Sequence, residues 1–413
     1  MSATPTSFDA ALANDPWRGA NPLDPAFRDD PYPALRRLRE IDPVNEAPFG
    51  LWRLLRYSDV VRLLREANAG VRLSDGTLPP VPGQDILGAG LRGGFMLQQD
   101  APAHTRLRRL VSKAFTPRAV EALRPKMQSI VDGCLDAVAK SGEMDVIKDL
   151  ALPVPSTVIC EMLGVPLADR ERFTLWTAEA THGLAAALAP ADVVERAAKA
   201  SLSLAGYFQA LIAERRKDLR DDILSAMIRA EEEGDRLTAD ELLVQAIGLL
   251  IAGFETTIGL IGNGVRALLR HPRELARLRA DPSLLPSAVE ECLRFEGPIV
   301  LTVRILHEAT EFGGKTIPKD ATVFAMLASA NRDPERFPDP DRFDIGRTPN
   351  EHLAFGGGEH FCLGAHLARL EAQLAIGGLV RRFDELSLVS EKVVWGPSLF
   401  RVPGTLPIRF KGE

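Results

Sequence analysis

Apolar positions recur every three to four residues over most of the 413-residue chain. That is the spacing of helices with one buried face. Val60, Val61, Leu63 and Leu64 form such a stripe in SDVVRLLREA, with Ser58 placed as its N-cap. The segments AVEALRPKMQSIVDGCLDAVAK, DVVERAAKASLSLAGYFQALIAERRKD and PRELARLRAD predict further helices. Strand-like runs are short and sparse: LWRLL near residue 51, TVFAML near residue 322, and pieces close to the C-terminus. The pattern predicts a mainly α fold with small β-sheets, read as a single domain over residues 1–413.

One predicted helix differs from the rest. Thr238 and Glu241 have capping-box spacing, and no proline follows until Pro272. The run between them is about 30 residues, or roughly 45 Å of helix. Its middle, AIGLLIAGFETTIGLIGNG, is apolar on nearly every face, which predicts a helix running through a core. Glu255 and Thr256 interrupt it. A buried carboxylate is costly unless paired or solvated. Thr256 has two open readings, a back-bond to the Ala252 carbonyl or a polar notch shared with Glu255 that faces a cavity.

Composition narrows the function classes. The chain is 46% hydrophobic and 26% charged, with a net charge of −6, which argues against a nucleic-acid partner. The N-terminal stretch has neither a basic nor an apolar signal region, and residues 242–254 are too short and too polar for a membrane span. Cys134, Cys160, Cys292 and Cys362 are scattered without zinc or iron–sulfur spacing. A reduced, cytoplasmic protein with no membrane attachment is expected. The Gly/Pro-rich residues 77–94 predict a long loop that can act as a lid.

Three stretches concentrate chemistry. In HLAFGGGEHFCLGAHLARLE, Cys362 follows a glycine run and precedes a helical pattern. In EECLRF, Glu291 and Arg294 share one helical face. In DAPAHTRLRRLVSKAF, His104 and Arg108 share one face, and Arg106, Arg109 and Lys113 another. The first face suits an anionic ligand and the second a solvated basic surface.

Together these stretches resemble the cytochrome P-450 monooxygenases. Phe355-x-x-Gly358-x-His360-x-Cys362-x-Gly364-x-x-Leu367-Ala368-Arg369 is similar to their haem-binding loop. Ala252-Gly253-Phe254-Glu255-Thr256-Thr257 resembles the oxygen-activating stretch of their central helix. Glu291-x-x-Arg294 is similar to their Glu-x-x-Arg pair, and ANRDPERFPDPDRFDIGR, residues 330–347, to the meander between pair and loop. The order and separations fit over essentially the whole chain, in the soluble bacterial form.

The resemblance implies the cytochrome P-450 fold, with the long central helix over a haem b (iron protoporphyrin IX). Cys362 would ligate the iron as thiolate. Phe355, Gly356, Gly364 and Ala252 would contact the cofactor, and His104, Arg108, Arg304 and His360 would hold its propionates. Backbone N–H groups ahead of the helix favour negative charge on the sulfur, and Gly356, Gly357, Gly358 and Gly364 let the loop turn tightly. Glu291, Arg294 and Arg347 would form a supporting triad. Thr256 and Glu255 would deliver protons while O2, the co-substrate, is activated. His366 takes no ligand role. Ferredoxin and ferredoxin reductase would supply electrons, through the Arg106, Arg109 and Lys113 face. A hydrophobic small-molecule substrate would undergo hydroxylation or epoxidation. Its pocket would be walled by residues 77–94 and 181–192, Leu249, Ala252, Ile299, Val300, Leu301, Leu399 and Phe400. Two other readings are a peroxide-driven haem-thiolate peroxygenase and a non-enzymatic haem-thiolate binder or sensor. The Glu255–Thr256 pair speaks against both.

Overall fold

The central helix spans Ala239–Arg270 in the computed structural model, which describes residues 15, 17–22, 24–79, 94–183, 190–232, 237–396 and 400–412. Its start is the expected capping box. The Glu241 N–H donates to the Thr238 hydroxyl at 3.1 Å, and the Thr238 N–H to the Glu241 carboxylate at 2.9 Å. It ends at His271, before Pro272. Among the described residues this helix alone is long and apolar enough to cross a membrane, but 72% of its apolar window is buried inside the protein. It packs against the helices Pro153–Met162, Ala191–Arg215, Leu285–Glu296 and Ala365–Arg382, and the largest hydrophobic cluster surrounds it.

A five-stranded sheet lies apart from this core, in the spatial order Val44–Ala47, Leu51–Leu54, Thr322–Ala325, Thr302–Leu306 and Ala69–Gly70. All neighbours run antiparallel except Leu51–Leu54 and Thr322–Ala325, which are parallel. A second sheet joins Glu143–Asp145, Pro407–Lys411 and Asp384–Leu388. Two smaller hydrophobic clusters anchor the five-stranded sheet and the N-terminal helices.

Two local expectations change. The predicted helix over residues 119–140 is two helices, Pro117–Ala122 and Arg124–Val138, because Pro125 suits a first turn and not an interior. Ser58 is not a cap. The helix begins at Tyr57, whose N–H donates to the Asp333 carboxylate at 2.8 Å, so the cap comes from a residue 276 positions away.

Candidate active site

Cys362 sits in a loop closed by its own backbone. Its N–H donates to the Phe355 carbonyl at 3.0 Å, and the Gly356 N–H to the Leu353 carbonyl at 2.8 Å. Gly356 and Gly358 have φ of +71° and +67°, a region that favours glycine. Gly358 also lies against the Leu64 carbonyl, where a Cβ would collide. At Gly364 the backbone φ is −84°, which other residues also adopt, so the turn there does not itself demand glycine. Burial pushes the Cys362 thiol pKa up. The Gly364 N–H and the Arg108 and Arg369 guanidiniums pull it the other way. The helix Ala365–Arg382 follows directly, with His366 on its exposed side.

The helix Ala103–Ser112 is clamped onto this loop. Arg108 donates to the carbonyls of Glu359 at 3.1 Å and Phe361 at 2.7 Å. The His104 and His360 rings lie with centroids 4.2 Å apart. Among the described residues, His104 Nε2 and His360 Nδ1 are both buried without a hydrogen-bond partner. Leaving a buried polar atom unpaired costs about 1–3 kcal/mol, so two such nitrogens side by side mark a place for an acceptor. Arg304 is buried, with Asp100 and Glu359 acting on it, and donates to the Val303 carbonyl at 2.8 Å. The His104 pKa is pushed down to about 4, first by burial and then by His360 and Arg108. Positive charge here comes from Arg108 and Arg304.

Glu291 and Arg294 are fully buried in the helix Leu285–Glu296 and pair through two bonds of 2.7 and 2.8 Å. Arg294 also donates to the carbonyls of Asn331, Pro340 and Arg342 at 2.8–3.0 Å. Arg347 Nε joins Glu291 at 3.3 Å. The three residues thus tie the helix to the meander.

Two neighbours escaped sequence reasoning. Glu290 takes both bonds of Arg369, at 2.7 and 2.8 Å, and one from His352 at 3.1 Å, while Arg369 stacks on the Phe355 ring. Burial alone would raise its pKa; His352 and Arg369 bring it down to about 2. The signal was present, since Arg369 belongs to the loop motif and Glu290 adjoins Glu291. Asp100 accepts from the N–H groups of Val71 and Arg72 at 2.8 and 3.0 Å and lies 3.9 Å from His360 Nε2. It stands four residues ahead of His104, in the same stretch of sequence.

On the central helix the burial is interrupted at one place. Ala252 is exposed and Glu255 and Thr256 are half-buried, while Phe254 and Thr257 are buried. The Thr256 hydroxyl donates to the Ala252 carbonyl at 2.9 Å, so the back-bond is present. The hydroxyl oxygen can still accept a bond from another donor. Among the proposed pocket walls, Ile299, Leu301 and Phe400 keep exposed surface. Leu249 and Val300 do not: each is 5% exposed and packed in a hydrophobic cluster. Leu399, residues 80–93 and residues 184–189 lie outside the described residues. The basic face also changes. Arg106 pairs with Glu241 at the start of the central helix, leaving Arg109 and Lys113 exposed.

A family model described as cytochrome P-450 matches residues 77–394. The cytochrome P-450 monooxygenase PikC of Streptomyces venezuelae is 44% identical over 410 residues, covering 97% of this chain and 95% of that protein. The 6-deoxyerythronolide B hydroxylase of Saccharopolyspora erythraea is 40% identical, with coverage of 94% and 98%. The crystal structure of the myxobacterial cytochrome P-450 CYP267B1 in complex with myristic acid matches with a TM-score of 0.85 at 41% identity, covering 95% of this chain and 99% of that one. The chain belongs to the cytochrome P-450 family and is an oxygen-incorporating oxidoreductase, a monooxygenase. The family implies a haem-iron cofactor. The residues present fit one: a cysteine with an N–H at its sulfur, two arginines, and two buried imidazole nitrogens lacking an acceptor.

Proposed function

We propose that this monooxygenase holds haem b through Cys362 and inserts one atom of O2 into a hydrophobic small molecule, by hydroxylation or epoxidation. The observation that carries this reading is a pair of buried nitrogens without a partner among the described residues, His104 Nε2 on the helix Ala103–Ser112 and His360 Nδ1 in the Cys362 loop to which Arg108 clamps that helix. His104 and His360 would each donate to a propionate, and Arg108 and Arg304 would supply its counter-charge. Phe355, Gly356, Gly364 and Ala252 would contact the porphyrin. Glu291, Arg294 and Arg347 act by holding the loop's supports and touch no reacting atom.

When bound, haem supplies the iron at which O2 is activated, with one oxygen atom entering the substrate and the other leaving as water. The chain's own task is then proton supply and exclusion of bulk solvent. Glu255 moves protons inward from solvent, and Thr256 Oγ1 accepts one bond while donating another, which places the proton where it is needed. Ala252, Ile299, Leu301 and Phe400 present apolar surface to the substrate. Relatives named for 6-deoxyerythronolide B and vitamin D(3) hydroxylation, and a neighbour in complex with testosterone, support a hydrophobic substrate. Electrons come from a ferredoxin and its reductase. The exposed Arg109 and Lys113 offer an acidic partner a docking point whose pull weakens with salt. The protein works in the cytoplasm as a single domain.

The test is Thr256→Ala. The variant should retain its haem, while product formation falls about tenfold or more and the missing electrons appear as peroxide. Unchanged coupling of electrons to product would remove Thr256 from the mechanism.

A further inference from the structure

The Cys362 loop has two flanks, and one carboxylate from outside the loop is bonded to both. Glu290 belongs to the helix Leu285–Glu296. On the flank after Cys362, Arg369 of the helix Ala365–Arg382 gives it two bonds, from Nε at 2.7 Å and from Nη2 at 2.8 Å. This forked pairing fixes the plane of the guanidinium as well as its distance. On the flank before Cys362, His352 Nε2 lies 3.1 Å from the same carboxylate. His352 Nδ1 accepts the Ala354 N–H at 3.2 Å, so the ring proton sits on Nε2 and is donated to Glu290. The two flanks converge on Phe355. The Arg369 guanidinium stands 4.5 Å from the centre of its ring, a cation–π contact. Its backbone follows Ala354 directly, and its carbonyl accepts the Cys362 N–H at 3.0 Å. An unbroken run of contacts therefore leads from Glu290 to the backbone of the cysteine.

We propose that Glu290 is a positioning residue for the haem-thiolate centre: it locks Phe355 and the Cys362 backbone from both flanks and balances the Arg369 charge at that loop. This deepens the reading of Cys362 as the iron ligand and rests on it. The charges agree with the geometry. Glu290, with its pKa near 2, stays ionised across the working pH range, and Arg369 is among the groups that favour a thiolate at Cys362. Reduction adds an electron to the iron–sulfur unit. An unbalanced positive charge close by favours the reduced form, and an unbalanced negative charge opposes it. Glu290 and Arg369 keep 27% and 26% of their side-chain surface exposed, so solvent screens the pair in part and the shift is modest.

The experiment combines a redox titration of the haem-loaded protein with amide hydrogen exchange of the purified protein. Glu290→Gln and Glu290→Ala each remove the negative charge, so either one that folds gives the comparison; Arg369→Gln removes the positive one. The ferric–ferrous equilibrium should move about threefold toward the reduced form in the Glu290 variants and about threefold away from it in Arg369→Gln, about 30 mV in each direction for one electron. Arg369→Lys keeps the charge and loses the fork, so its potential should stay near the parent. Exchange at the Cys362 amide should quicken about tenfold in every one of these variants. Mere loosening of the loop would move both kinds of variant in one direction. Potentials that shift with one sign or not at all, or a Cys362 amide that exchanges at the parental rate, overturn the proposal. A parent protein without the red-shifted carbon monoxide band would sink the ligand reading instead; the Cys362 exchange rate in the Glu290 variants would still decide whether Glu290 holds the loop.

Discussion

Glu371 is a carboxyl group in the wrong solvent. It lies on the helix Ala365–Arg382, 1% exposed, where that helix packs on the central helix, with the Thr257 hydroxyl as its bonding partner. Burial pushes its pKa from 4.5 up to about 8, and the bond from Thr257 only partly opposes this. The folded protein therefore holds a proton there that the unfolded chain releases. Stability from this group is complete below the unfolded value and is lost as pH rises through the folded one. Linkage gives a loss of about 3 kcal/mol at pH 7, and about 3–4 kcal/mol between pH 5 and pH 8. Glu371→Gln keeps the shape and removes the ionisation. With an unfolding entropy of about 2.1 cal/mol/K per residue, the variant's Tm should gain on the parent by about 4 °C from pH 5 to pH 8. Any constant offset from exchanging acid for amide drops out of that difference. The assay is thermal unfolding of both proteins at matched scan rate across this range. A Tm difference that stays flat with pH would show that Glu371 ionises normally and would refute the description of its surroundings.

Other perturbations test other joints of the structure. Arg294→Ala leaves the fully buried Glu291 with Arg347 as its remaining cation and removes the ties to Asn331, Pro340 and Arg342; a loss of about 3–5 kcal/mol is expected, read from urea unfolding and haem content, and near-parental stability would count against the triad. Gly248→Ala puts a methyl into the Phe95 ring, which lies against the helix there. It should cost about 1–3 kcal/mol and loosen the segment that Gln245 ties through the Gly94 carbonyl and the Met96 N–H, with faster hydrogen exchange at Met96 as the check.

The central helix was legible because its signals are local: a capping box, a long apolar run broken only by Glu255 and its threonines, and a proline beyond its end. The Cys362 loop and the Glu291–Arg294 pair were legible because residue spacing sets their geometry. What escaped depends on contacts between distant parts of the chain. Nothing near Ser58 says that Asp333 supplies the cap. Glu290 and Glu291 are indistinguishable as letters, yet one meets Arg369 and the other Arg294. Arg28 and Arg401 meet across 373 positions, and Glu371 is unusual only because Thr257 and apolar surface close over it. Leu249 and Val300 were read as pocket walls from their apolar character, which core and pocket residues share. Composition carried no information to separate them.

The central claim is that Cys362 binds haem iron as a thiolate. The most direct measurement is the absorption spectrum of the purified, reduced protein under carbon monoxide. Thiolate ligation predicts a strongly red-shifted Soret band. A Soret band typical of histidine or neutral-thiol ligation in well-folded protein, or no bound haem at all, would contradict it.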